Sequence, residues 1–173
     1  MAPQDQAATE RIAVLLVGMA PRSADSIGTA LADSDKTPAP IFTVDAPADI
    51  AAIAQAQEIR VAIVGAAGDP ASAVRAVRQV TAALPDAVVF AMGPAIPDSV
   101  AITLIHAGAE DYIADDDAAI AALPRILAYA TKRRRVNAQV SRLSAQRAHV
   151  EALLSTTFEL SATPMALSEE DGT

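Results

Sequence analysis

Two textures of apolar residues alternate along most of this chain. Short unbroken runs of strand length are each followed by a stretch in which apolar residues return every three or four positions. Ile12, Ala13, Val14, Leu15, Leu16 and Val17 form the first run, and a run without polar alternation is what a parallel strand covered on both faces requires. Gly18, Met19, Ala20 and Pro21 break it, and residues 23–32 carry Ile27 and Leu31 at helical spacing. Ile41–Val44 and residues 48–57 repeat the unit, with a proline-rich loop at 36–40 before the strand and Pro47 just ahead of the helix, where a missing N–H is harmless. Val61, Ala62, Ile63 and Val64 open the third unit, loop 65–70 carries Gly65 and Gly68, and Val74, Val77 and Val80 mark one face of a helix over 71–83. Residues 87–91 and 98–107 make the fourth unit, and residues 111–114 a fifth strand. Five strand-then-helix units in about 120 residues predict an α/β fold with right-handed crossovers and one doubly wound parallel sheet, helices on both faces.

From residue 118 the pattern becomes helical to about Phe158. Arg133, Val136, Val140, Leu143, Arg147, Val150 and Leu154 alternate steps of three and four, a heptad seam interrupted by two arginines, with no glycine or proline between Pro124 and Pro164. A helix this long cannot bury its second half against the domain that starts it, so it is expected to pair with a second copy of itself. The predicted homodimer interface is Tyr129, Val136, Val140, Leu143, Val150 and Leu154. At 1.5 Å per residue the helix would reach about 40 Å beyond the domain. Pro124, about two turns in, is expected to kink the helix or delay its regular start.

Composition narrows the picture. Aromatic residues make up only 3% of the chain, so the core is expected to be small aliphatic side chains between closely packed helices and strands. A formal net charge of −8 repels nucleic acid and anionic membrane over the surface as a whole. Neither is an expected partner, and only a local basic patch, such as Lys132 to Arg135, could override that field. The longest apolar run, from Ile12 to Ala20, is about half a bilayer span, and the first ten residues lack the basic-then-apolar order of a secretory signal. The expected location is the cytoplasm. The absence of cysteine excludes disulfides and thiol chemistry, and two histidines far apart argue against zinc.

One stretch carries a family likeness. His106, Ala107 and Gly108 read as a helix end, Ala109, Glu110, Asp111, Tyr112 and Ile113 as the turn and strand that follow, and Asp115, Asp116 and Asp117 as the cap of the next helix. This resembles the last helix-to-strand connection of a response-regulator receiver domain, with Tyr112 three residues before the position of that family's active-site lysine. The resemblance implies the flavodoxin-like (βα)5 fold with strand order 2-1-3-4-5, here extended by the C-terminal coiled-coil helix. Such dimers often add the fourth and fifth helices to their interface. The resemblance also implies a site: an acidic pair after the first strand for Mg²⁺, a phosphoacceptor aspartate after the third, a hydroxyl after the fourth and a lysine after the fifth. Those positions fall here on Gly18 and Met19, Gly65, Met92 (or Ala91) and Asp115. The fold is expected without the activity, in a degenerate, non-phosphorylatable pseudo-receiver that is not an enzyme and holds no cofactor or metal.

Residues 123–130 resemble receivers whose last helix runs into a signalling coiled coil. Phe158 to Leu167, followed by Glu170, Asp171 and Gly172, looks like the start of a PAS domain. The expected organisation is a tail at 1–10, a receiver-like domain at 11–131, a dimeric signalling helix at 132–157 and a truncated PAS-like start at 158–173. The expected function is a regulatory and dimerisation module of a multidomain bacterial signalling protein, with a histidine kinase or diguanylate cyclase/phosphodiesterase output, open to a protein or small ligand on its receiver-like part. Two alternatives stay open: an RNA-binding antiterminator, a family that also joins an inactive receiver to a coiled coil, and a flavodoxin-like binder of a small ligand or nucleotide. Asp69, four residues past Gly65, reads as a helix cap before Pro70 and only secondarily as a substitute acceptor. Asp45 and the Asp115 to Asp117 cluster read as caps as well, and Tyr112 as a packed strand residue. His106 and His149 read as surface or boundary residues.

Overall fold

The computed structural model describes residues 13–33 and 40–161. Strand β1 (Ala13–Val17) leads into α1 (Pro21–Ala32), and β2 (Ile41–Val44) through a 3-10 turn at Pro47–Asp49 into α2 (Ile50–Ala56). Then follow β3 (Ile59–Gly65), α3 (Pro70–Ala83), β4 (Val88–Gly93), α4 (Asp98–His106), β5 (Asp111–Ala114) and α5 (Asp117–Ser161). The strands form one parallel sheet in the order β2-β1-β3-β4-β5.

The apolar runs form central strands because both faces of each are covered. Leu15, Val17, Ala62, Val64 and Val89 point to the face where Ile50 of α2, Val77 and Val80 of α3 and Leu104 of α4 pack. Val14, Leu16, Val61, Ile63, Val88 and Phe90 point to the other, against Ile27 and Leu31 of α1 and Ile120, Leu123 and Leu127 of α5. Every residue of β1 and β4 is buried, and no polar or charged residue among those described is. The two faces together form the predicted small-aliphatic core.

Helix starts follow the prolines. Pro21, Pro47 and Pro70 each occupy a first-turn position, and so α1 begins two residues earlier than the apolar spacing alone predicts. Pro124 neither ends nor delays α5, which is one helix of 45 residues from Asp117. A proline there forfeits only one backbone bond, and Leu123 and Leu127 on either side of it are anchored in the core. The chain divides into two compact units, the second beginning at Arg133. The expected tail at 1–10 and Ile12 lie outside the described residues, as does the PAS-like stretch after Ser161.

Candidate functional site

The sheet order reverses between β1 and β3, and at such a point the loops leaving the two strands diverge and leave a crevice at their carboxyl ends. Gly18 follows β1, Gly65 ends β3, Met92 sits near the end of β4 and Asp115 follows β5. Four of the five expected site positions thus line up along one edge of the sheet, and Met19, the fifth, adjoins Gly18.

That edge is filled rather than open. Gly18 adopts φ +61°, a left-handed conformation that glycine reaches without strain. Its carbonyl turns over the end of β3. A Cβ on Gly65 would overlap the Gly18 carbonyl oxygen and stand 2.9 Å from its carbon and 3.3 Å from Met19 Cα. Backbone therefore occupies the space into which a side chain at Gly65 would project. The neighbouring positions are apolar: Met92 is fully buried in the cluster beneath α1 and α5, and Met19 packs against that cluster. Asp115 is exposed, with its N–H donating to the Gly93 carbonyl at 2.9 Å.

Tyr112 is half-buried against the α3 and α4 side of the core, and its hydroxyl donates to the Pro94 carbonyl. Burial, and secondarily the negative charge of Asp115, push its phenol above the ordinary value. Gly93 makes room for this, since a Cβ there would lie 3.0 Å from the Tyr112 hydroxyl and 3.1 Å from the Ala66 carbonyl carbon.

A cleft of about 330 Å³ opens beside the glycine pair, lined among others by Asp45, Pro47, Asp69, Ser72, Arg75 and Gln79. Asp69 caps α3, accepting from the N–H groups of Ala71 and Ser72 at 3.3 and 3.0 Å and from the Ser72 hydroxyl at 2.9 Å. The Ser72 hydroxyl bond, and then the two backbone bonds, hold its carboxyl below the ordinary carboxylate value. Arg75 in turn donates to Ser72 Oγ at 2.8 Å. Asp116 caps α5 by accepting from the Ala119 N–H at 2.8 Å. Asp45 lines the cleft and stands one residue before Ala46, the cap position of the 3-10 turn. Among the described residues, no three His, Asp or Glu side chains converge as metal ligands would.

On α5, Tyr129, Val136, Val140 and Leu143 are 74%, 52%, 56% and 57% exposed in the single chain. Arg133 and Arg147 are exposed at the intervening seam positions. The side chains of His149, Val150 and Leu154 lie outside the described residues, while His106 is exposed in the last turn of α4. No described helix is long and apolar enough to cross a membrane. Sequence reasoning missed the cleft and the chain of bonds from Arg75 through Ser72 to Asp69. Its legible signal was a glycine at the carboxyl end of each of β1 and β3, neighbours in the sheet.

No protein-family profile and no curated protein matches the sequence. Solved structures do match. The receiver domain of a putative Luxo repressor protein from Vibrio parahaemolyticus is 22% identical, covering 75% of this chain and 97% of that one at a TM-score of 0.61. A response regulator from Thermotoga maritima is 16% identical, over 68% and 98%, at 0.58. A CheY-like protein (tadZ) from Pseudomonas aeruginosa is 18% identical, over 70% and 99%, at 0.57. The fold is that of the CheY-like receiver domains.

Proposed function

We propose that this chain is a non-catalytic pseudo-receiver, a regulatory and dimerisation module of a multidomain signalling protein that passes a signal along α5 without aspartyl phosphorylation. The observation that carries the reading is the overlap at Gly65. The position that would accept a phosphoryl group in a receiver has no side chain, and the Gly18 carbonyl fills the space one would need. The flanking positions supply two methionines and an aspartate where phosphoryl transfer requires metal ligands, a hydroxyl and a cation. What such a module retains is a rigid body on a long helix, whose exposed seam is suited to a second copy. A kinase or cyclic-dinucleotide output beyond a PAS-like segment fits this arrangement.

The test is intact-mass spectrometry after incubation with acetyl phosphate and Mg²⁺. Wild type gains no mass, and neither does Gly65→Asp, because the introduced carboxylate lacks a metal, a hydroxyl partner and room. A hydroxylamine-sensitive increase on either protein contradicts the reading.

The cleft favours a second role for the same body. Its volume is at the small end of ligand sites, and Asp45, Arg75 and Gln79 suit a small polar ligand better than a flavin ring. Absence of flavin absorbance from purified protein, with a thermal shift on screening small polar molecules that Arg75→Ala abolishes, is the expected result.

A further inference from the structure

The cleft beside the glycine pair carries both signs of charge. Asp45, in the turn after β2, and Asp69, at the start of α3, bring carboxylates to its lining, and Arg75 of α3 brings a guanidinium. Asp69 is engaged by the protein itself: its oxygens accept from the N–H groups of Ala71 and Ser72 and from the Ser72 hydroxyl. Arg75 is oriented rather than consumed. One of its terminal nitrogens donates to Ser72 Oγ at 2.8 Å, which steadies a planar fork able to take a carboxylate through parallel bonds. Asp45 and Arg75 are both exposed and come from different elements, so the cleft offers a carboxylate on one wall and a guanidinium on another. The rest of the lining is uncharged, with Val17, Val64 and Ala73 giving apolar surface and Gln79 an amide that both donates and accepts.

This pattern excludes most ligand classes in turn. Two carboxylates beside one guanidinium oppose a wholly anionic ligand, phosphate included, and the guanidinium opposes a wholly cationic one. A bare metal ion lacks a ligand set, since among the described residues no three His, Asp or Glu side chains converge. A molecule that carries a cationic and an anionic group on neighbouring atoms satisfies both walls. A volume of about 330 Å³, at the small end of ligand sites, matches so small a molecule.

We propose, resting on the reading of this cleft as a small-ligand site, that its ligand is a free α-amino acid with an uncharged side chain, its ammonium group held by Asp45 and its carboxylate by Arg75. The side chain lies against the apolar and amide part of the lining. A ligand held in this way ties the turn after β2 to α3 across the point where the sheet order reverses.

Thermal shift and isothermal titration calorimetry test this on the full chain with the common L-α-amino acids, each at about 10 mM, enough to occupy most of a millimolar site. The tightest binder is then compared with its methyl ester, which lacks the carboxylate, and its N-acetyl derivative, which lacks the ammonium. Putrescine and succinate serve as wholly cationic and wholly anionic probes. At least one amino acid with an uncharged side chain is expected to bind, and both blocked derivatives to bind about tenfold more weakly or worse. Asp45→Asn is expected to weaken the amino acid by about tenfold and leave the N-acetyl derivative unchanged, while Arg75→Gln weakens the amino acid and leaves the ester unchanged. Arg78→Gln, on α3 outside the cleft lining, is expected to change nothing. Putrescine or succinate binding that Asp45→Asn or Arg75→Gln abolishes, without any amino-acid response, overturns the proposal and leaves the small-ligand reading of the cleft standing. Binding confined to amino acids with charged side chains overturns it in the same way. An amino acid that binds every variant alike also overturns it, by placing its site elsewhere. If none of these probes binds, the proposal falls, and the cleft reading falls with it where the broader screen of polar molecules is silent too.

Discussion

On the proposed pseudo-receiver reading Gly65 holds the acceptor's place, and a Cβ there would overlap the Gly18 carbonyl oxygen. Gly65→Ala is expected to cost about 1–3 kcal/mol in urea denaturation, because the new methyl must push back the Gly18 carbonyl, which is backbone rather than the far end of a flexible side chain. The absence of carboxylates and lysine was plain in the sequence; the overlap was not, since it arises only when β1 and β3 are brought side by side. Tyr112 gives a second prediction. Its phenol titrates above the ordinary value of 10.0, so the folded state favours the neutral form. The stability this contributes is fully present below about pH 10 and is lost as pH rises through the higher folded value. Wild type should therefore lose stability on that alkaline limb more steeply than Tyr112→Phe. At neutral pH the variant should be weaker by about 0.5–1 kcal/mol, for the lost bond to Pro94. Asp69 behaves oppositely. Its carboxyl is depressed below 3.8, so its contribution is present above that pH and lost as pH falls through the lower folded value. Asp69→Asn, which can still cap α3, should lack that acid-range dependence in thermal denaturation.

The elements themselves were largely readable, because burial on both faces leaves parallel strands as unbroken apolar runs and the prolines mark where helices begin. The 3-10 turn at Pro47–Asp49 was not legible, and the cleft beside it was missed with it: both depend on how one loop meets α3 across the sheet's edge. The turn after α4 was read correctly as a glycine end, yet its reason is tertiary. Gly108 has φ +117°, and a Cβ there would lie 2.8 Å from Thr81 Oγ1, a buried hydroxyl without a hydrogen-bond partner. Glycine thus lets the end of α4 close onto α3. Gly108→Ala should destabilise by about 1–3 kcal/mol through strain and overlap. Adding Thr81→Ala should recover the overlap component and leave the strain, a non-additivity that a double-mutant cycle in urea resolves.

For the whole molecule, the account rests on α5 acting as an assembly helix. Its length and heptad were visible as an absence of glycine and proline and a three-four spacing, and the structure bears out one continuous helix from Asp117 to Ser161. Exposure of more than half at Val136, Val140 and Leu143 makes that face the one that a second copy would cover. Fully burying each such aliphatic residue contributes about 1.5–3 kcal/mol, enough in sum to offset the loss of translational and rotational freedom on pairing. The measurement that tests the account most directly is sedimentation velocity, with circular dichroism, on wild type, Leu143→Asp and Ser141→Asp at tens of micromolar. The account predicts a wild-type dimer, a Leu143→Asp monomer with its α/β body intact, and a Ser141→Asp control that still pairs. A monomeric wild type, or a control that dissociates as readily as the seam variant, would contradict it.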